Sequence, residues 1–183
     1  MNSNRVFVAV IKWDQRMKWL LIVPAMLVAI VVVMVLVGLM LPKGHRVTRV
    51  ARFRESPDVI FAAITGPQDW RGVTKTELAN DGGPRQWREE SGRRSITFEE
   101  VTSDPPRLYR SRIADKDLPF SGTWTWEIAA TGDGCTCRIT EDGEVSNPAF
   151  RFMSRFVFGY AKSAVDYLNA LGKKFNETVN VEE

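Results

Sequence analysis

Histidine occurs once in this 183-residue chain, at His45, and cysteine only twice, at Cys135 and Cys137. His45 follows directly on the first apolar run, ahead of the expected fold. A Ser-His-acid triad, a Cys-His pair and a histidine metal cluster are therefore not expected inside the domain. The cysteines lie one residue apart in an alternating segment, so both project from one face about two strand rises apart, a poor geometry for bridging each other. No second Cys or His pair completes a C-x-C metal site, which leaves them as small apolar core residues. No Gly-rich phosphate loop opens a helix, and no cofactor is implied. A surplus of charge is also lacking where it would matter. The chain holds 25 Lys and Arg against 22 Asp and Glu, but Arg5, Lys12, Arg16 and Lys18 sit with Asp14 ahead of the apolar run. Everything beyond that run is balanced, and nucleic acid is not an expected partner; the basic tail suits topology or anionic lipid head groups.

What the chain does have is a run of 23 uncharged residues, Trp19 to Leu41. As a helix rising ~1.5 Å per residue it reaches ~34 Å, enough to cross a hydrocarbon layer of ~30 Å. A signal-peptide core has ~7–15 apolar residues before a small-residue cleavage site. This run is longer and closes with Gly38-Leu39-Met40-Leu41-Pro42. A buried core helix would show a polar stripe, yet Ile30 to Val37 is apolar on every side. Pro24, about one turn inside, is tolerated in lipid. The run reads as an uncleaved single-pass anchor. Basic residues flank both ends, but Arg46, Arg49, Arg52 and Arg54 fall in an expected strand. The short tail then weighs more and places the N-terminus inside and the domain outside. The expected division is a basic tail 1–18, a membrane helix 19–41, a linker 42–45, one domain 46–175 and a flexible tail 176–183.

Within the domain, Arg46 to Phe53 reads as a strand. Ser56-Pro57-Asp58 is a helix start, with a cap, a first-turn proline and an acid at the positive end of the dipole. Val59, Ile60, Ala63 and Ile64 form its apolar stripe, Gly66-Pro67 ends it, and a short turn, Gln68 to Arg71, follows. From Val73 to Val145 there are only short runs separated by Asp81-Gly82-Gly83-Pro84, Ser91-Gly92, Asp104-Pro105-Pro106 and Gly132-Asp133-Gly134, which predicts an antiparallel meander. The clearest strand, Phe120 to Ala130, puts Phe120, Trp124, Trp126 and Ile128 on one face. After Asn147-Pro148 one long amphipathic helix is expected to about Phe175, its stripe including Phe152, Met153, Phe156, Val157, Tyr160, Ala164, Leu168 and Leu171.

Such elements bury their apolar faces if a curved sheet wraps the last helix, an α+β helix-grip arrangement. Here the chain resembles the SRPBCC superfamily, the START-like ligand-binding fold, in its polyketide cyclase/dehydrase or lipid-transport-like branch. The resemblance rests on Ser56-Pro57-Asp58-Val59-Ile60-Phe61, Pro67-Gln68-Asp69-Trp70, Asp104-Pro105-Pro106-Arg107-Leu108-Tyr109, and Pro119 to Ile128 leading to Gly132-Asp133-Gly134-Cys135-Thr136. It covers about Arg46 to Phe175, and the anchor lies outside it.

The resemblance implies a cavity between sheet and terminal helix for a lipid or other apolar small molecule. Strand parity nominates Trp87, Ile96, Phe98, Trp124, Trp126 and Ile139 for its lining, with Met153, Phe156 and Tyr160 from the terminal helix. The same aromatics would also serve as plain core. Glu141 shares parity with Cys135, Cys137 and Ile139. Turned inward it needs a partner such as Arg110 or Arg112, and could act as an acid or base; at a Glu141-Asp142-Gly143 turn it would instead face solvent. Three functions follow as expectations: a membrane-anchored binding module for a lipid or apolar molecule, a cyclase-, dehydrase- or hydrolase-like enzyme on such a molecule, or a closed-core interaction domain marked by an apolar patch away from the cavity mouth.

Overall fold

The computed structural model describes residues 15–79 and 82–183. The basic tail as far as Asp14, and Asp81 of the expected Asp81–Pro84 turn, lie outside the described residues. The described residues open with α1 (Gln15–Met40), which carries Pro24 in its interior. Trp19–Met40 is long and apolar enough to cross a membrane. From Trp19 onward its side chains are exposed until the last turns, where Gly38 is buried.

Seven strands then form one antiparallel sheet: β1 (Gly44–Phe53), β2 (Thr74–Leu78), β3 (Gln86–Ser91), β4 (Arg94–Asp104), β5 (Leu108–Ile113), β6 (Phe120–Thr131) and β7 (Gly134–Val145). Their spatial order is β1-β7-β6-β5-β4-β3-β2, a meander closed by the return of β7 to β1. β7 runs straight through Glu141-Asp142-Gly143, where a turn was expected, because it is paired on both sides: Gly143 lies opposite His45 on β1 and Gly122 on β6. With both ladders satisfying its backbone, the acidic tripeptide stays extended. The β6/β7 register sets Trp124 beside Glu141, Trp126 beside Ile139 and Ile128 beside Cys137, so one face carries them all.

Between β1 and β2 lie α2 (Pro57–Thr65) and a 3₁₀ turn, Asp69–Arg71. Pro57 and Asp58 take their expected first-turn places, but the Ser56 side chain makes no capping bond. The buried stripe is Ile60, Phe61, Ala63 and Ile64, while Val59 is exposed. The helix end is tied by a residue sequence reading left unassigned: the buried Gln68 amide donates to the Ile64 carbonyl at 2.6 Å and the Ala63 carbonyl at 3.3 Å.

The long C-terminal pattern is interrupted. α3 (Pro148–Met153), capped by Asn147 Oδ1 on the Phe150 amide, passes into a π-helical turn, Ser154–Phe158, and a break precedes α4 (Lys162–Lys174). Gly159 holds φ at +75°, which the continuous helix expected here would not allow. Only α4 is gripped by the sheet, burying Ala164, Leu168 and Leu171. Phe156 and Val157, expected in the buried stripe, are exposed. α3 instead packs against α1. The last residues do not hang free either: the Val50 amide donates to the Glu182 carbonyl at 3.0 Å, and the Glu182 amide returns a bond of 2.9 Å. Val179 and Val181 pack on the core.

Candidate functional site: a two-chamber pocket

Aromatic side chains from four strands and α4 enclose a cavity of about 130 Å³ between sheet and helix. They form a continuous chain. Trp124 meets Phe98 edge-on at 5.8 Å between ring centroids, Phe98 stacks on Trp87 at 5.9 Å, and Trp87 reaches Tyr109 at 6.3 Å. Tyr109 meets Trp126 at 5.5 Å, and Trp126 meets Tyr167 at 5.8 Å. Large flat rings that touch edge to edge and face to face wall a space without filling it. Ile64, Ile139, Ser111 and Ala164 add small and aliphatic surface to the lining.

Next to this inner chamber lies an outer cleft of about 560 Å³. The two share Arg71, Glu89, Phe98, Trp124 and Ser163 as walls. A polar rim marks the junction. Glu89 accepts from the Arg71 guanidinium and, at 3.1 Å, from Trp87 Nε1. The Arg71 Nε donates to Gln68 Oε1 at 2.8 Å, so the ion pair is anchored to the end of α2.

Lys75 is the one cation among the residues lining only the inner chamber. Its Nζ donates to the Thr65 carbonyl at 2.6 Å and lies 4.5 Å from the Trp87 ring centroid. Burial, helped by the nearby Arg85 charge, lowers its pKa from 10.5 to about 8. Burial raises the Tyr109 and Tyr167 phenols well above their ordinary value, keeping both neutral. Two polar atoms on this wall, Tyr109 Oη and Trp126 Nε1, are buried with no hydrogen-bond partner among the described residues. Cys135 and Cys137 are fully buried on the same inward sheet face; burial pushes Cys135 up to about 11 and Cys137 higher still, which disfavours either thiolate.

Glu141 points inward, 9 % exposed, on the wall of the outer cleft. Its partners are not the arginines expected for it. Arg110 is bonded to Thr125 and Arg112 to Glu99. Instead, Glu141 accepts from Trp124 Nε1 at 3.1 Å, from the Ser163 hydroxyl, and lies 3.4 Å from His45 Nε2. His45 is thus inside the domain, in the second position of β1, and not ahead of it. Its ring stacks on Tyr160 with centroids 4.1 Å apart, lying over Gly143, where any Cβ would overlap the imidazole. Histidine, carboxylate and serine are all present, but the carboxylate sits between the other two. Ser163 donates to Glu141 rather than to His45, so the histidine does not stand where the base of a Ser-His-acid triad would. Among the described residues no group of three or more His, Cys, Asp or Glu is gathered where it could hold a metal.

Of the nominated lining residues, Trp87, Trp126 and Ile139 stand on the inner chamber, Ile96, Glu141 and Tyr160 on the outer cleft, and Phe98 and Trp124 on both. Met153 and Phe156 line neither; the π turn rotates them out of the α4 face, and Phe156 is exposed. Sequence reading missed Tyr109, Tyr167, Ser163, Lys75, Arg71 and His45. Tyr167 was within reach, since it follows Ala164 by three residues on the same helical face. Lys75 and Arg71 carried no such signal.

A family model described as polyketide cyclase / dehydrase and lipid transport matches residues 44–171. The chain belongs to that family. The match begins at Gly44, so the family domain takes in His45. Protein MLL2253 from Mesorhizobium loti is similar in fold, with a TM-score of 0.56 at 13 % identity over 72 % of this chain and 97 % of that one. So is norcoclaurine synthase from Thalictrum flavum, solved with dopamine and hydroxybenzaldehyde, with a TM-score of 0.55 at 12 % identity over 72 % and 86 %. The di-domain ARO/CYC StfQ from the steffimycin biosynthetic pathway gives 0.54 at 10 % identity, over 69 % of this chain and half, 50 %, of that one. At such identities the likeness is one of fold. No curated protein matches the sequence. In this family setting the Trp124–Tyr167 aromatic wall occupies the space between sheet and α4, and α1 precedes the matched domain.

Proposed function

We propose that this protein is a membrane-anchored binding module for an apolar small molecule or lipid, held between the sheet and α4. The observation that carries the reading is the pair of adjacent chambers with Arg71, Glu89, Phe98, Trp124 and Ser163 as common walls. The inner one, about 130 Å³ and walled by rings, takes a compact apolar group. The outer one, about 560 Å³, gives room for the remainder, and the two together fall within the ~300–1,000 Å³ usual for ligand pockets. Lipid transport in the family's description agrees with this class of ligand.

The anchor is the uncleaved α1. Its end is built into the domain: Gly38 in the last turn lies against Pro148, and Arg151, 5 % exposed, donates through Nη1 to the carbonyl of Leu41, the residue that follows α1, at 2.9 Å. Cleavage of α1 as a signal sequence would discard that contact. The reading is tested by purifying the full chain in detergent, then extracting and weighing bound molecules by native mass spectrometry. A stoichiometric apolar species is expected, and repeated recovery of bare protein that also binds no added apolar probe would end the proposal.

One observation favours a second reading, catalysis on the bound molecule: Glu141, His45 and Tyr160 stand together on the wall of the outer cleft. Turnover that stops with Glu141→Gln while the ligand still binds would establish it. The third expectation, an interaction domain, required an apolar patch away from the cavity mouth. The exposed patch is at the mouth instead, since Phe150 and Phe158 belong to the outer cleft.

A further inference from the structure

Outside α1, the large apolar side chains exposed among the described residues are Val59, Val101 and a cluster of four: Phe150, Phe156, Val157 and Phe158. The four fall within nine residues, and their exposures of 49 %, 60 %, 58 % and 57 % are as high as those of the anchor helix itself. An aromatic cluster left so open in water marks a contact surface.

Its place in the fold names the contact. α3 is docked on the final turn of α1. Gly38 is buried there, and a Cβ at that position would overlap the Pro148 carbonyl. Arg151 clamps the joint from the other side, with Nη1 on the Leu41 carbonyl at 2.9 Å and Nη2 on the Ser146 carbonyl at 3.2 Å. The cluster is therefore held beside the end of the helix that crosses the bilayer. Arg155, exposed within the same turn, suits the phosphate layer above the acyl chains. Phe150, Ser154, Phe158 and Tyr160 also form one wall of the outer cleft.

We propose that Pro148–Phe158 is a second membrane-contacting element, with Phe156, Val157 and Phe158 inserted among the acyl chains next to α1. The outer cleft then opens sideways into the lipid layer. The inference rests on α1 being a membrane anchor and adds a route: an apolar ligand passes from the bilayer along Phe158 and Phe150 to Trp124 and Phe98 without crossing water. The π turn presents three successive apolar side chains outward, which an uninterrupted amphipathic helix would not do.

The test is collision accessibility of nitroxide labels on the full chain in nanodiscs of phosphatidylcholine and phosphatidylglycerol. Labels are placed singly at Phe156→Cys and, as an independent position, Val157→Cys. Val31→Cys on α1 and Val101→Cys on β4 are references, and the native Cys135 and Cys137 are fully buried. The expected result is that labels at 156 and 157 collide with oxygen about tenfold more readily than with a water-soluble nickel chelate, as at 31 and opposite to 101. Labels at 156 and 157 that match 101, while 31 stays lipid-like, overturn the inference and leave the anchor standing. A water-like label at 31 overturns both. Strong spin–spin broadening at 156 in singly labelled protein would show a second copy covering the patch, and that too overturns it.

Discussion

Ser111→Leu is the substitution that separates a ligand site from a flaw in packing. Ser111 is 1 % exposed on β5, paired with Trp124, and faces the inner chamber of about 130 Å³. Leucine adds two heavy atoms net, and at ~30 Å³ each they occupy about 60 Å³, half of the available space. Filling an apolar cavity returns about 24 cal/mol per Å³, or ~1.4 kcal/mol, and losses from imperfect rotamers leave ~1 kcal/mol of stabilisation. The same atoms stand where the compact end of the ligand would lie. The ligand-free variant should therefore gain ~1 kcal/mol while the amount of co-purified or added apolar molecule retained drops about tenfold, the equivalent of ~1.4 kcal/mol.

The two effects are read separately. Stability comes from denaturant unfolding followed by near-ultraviolet circular dichroism, to which the Trp124–Tyr167 ring chain gives a strong signal. Retention comes from mass spectrometry of the extracted protein. Retention unchanged alongside a gain in stability would show that the chamber is unused space. Loss of stability by more than ~1 kcal/mol with retention intact would show that the void is not available to a side chain at all. Either result refutes the reasoning from volume to ligand.

Three further perturbations follow from individual contacts. For Lys75 the folded value of about 8 lies below the unfolded 10.5, so the folded state releases its proton first and stability contributed by this group rises from pH 8 to 10.5. Full conversion would be ~3.4 kcal/mol, and solvent screening of a partly exposed amine reduces it to ~1–2; the advantage of Lys75→Met over wild type in denaturant midpoints should shrink by that amount between pH 7 and 10, and a parallel pair of pH curves would contradict it. Glu141→Gln turns an amide towards Trp124, Ser163 and His45 in place of a three-way acceptor, and should cost ~1–3 kcal/mol in urea unfolding, where a loss under ~0.5 would show that the cluster is not holding β7 to α4. Gly38→Leu should force α3 off α1, lowering hydrogen-exchange protection of Phe150 to Ser154 about tenfold while β6 and β7 keep theirs, and unchanged protection would mean the joint tolerates a side chain.

The fold was legible because its pattern is carried by sheet alternation and by turns. Gly92 and Gly132-Asp133 fall between strands as expected, with Ser91 closing β3 and Gly134 opening β7, and the Phe120 strand buries Trp126 and Ile128 on the face its periodicity selects. Four of the strand aromatics on the pocket wall, Trp87, Phe98, Trp124 and Trp126, were nominated by the same alternation, whereas Tyr109 on β5 was not. What failed was whatever depended on two segments meeting. Apolar spacing from Phe152 to Phe175 fits a single helix. The π turn and Gly159 are needed to direct one half at α4's place in the sheet and the other at α1, and a one-dimensional stripe does not record two different partners. Glu141 needed a partner, and charge complementarity pointed to arginine. Cross-strand pairing with β1 supplied His45, whose residue type was judged from its position before the fold.

That mistake about His45 bears on how the anchor works. Three residues, Leu41 to Lys43, separate α1 from β1, and they are not slack. Arg151 holds the Leu41 carbonyl, the Val145 amide donates to the Lys43 carbonyl at 2.9 Å, and His45 is fixed between Tyr160 and Glu141. A free linker would raise local ligand concentration while letting the domain turn in any direction. Here the end of α1, the α3 wall of the cleft and the Glu141 cluster form one corner of the domain. Swinging the domain away would break the Arg151 clamp and uncover the Gly38 face together, at a cost of several contacts rather than one torsion. The cleft mouth therefore keeps a fixed bearing on the α1 axis, and under the proposed function the anchor would set the direction of entry as well as its distance. Replacing Leu41–Lys43 by a longer Gly/Ser segment would preserve tethering and remove the bearing. Uptake of an apolar probe from nanodiscs should then slow about tenfold while equilibrium binding from detergent is unchanged, and equal uptake rates would show that proximity alone suffices.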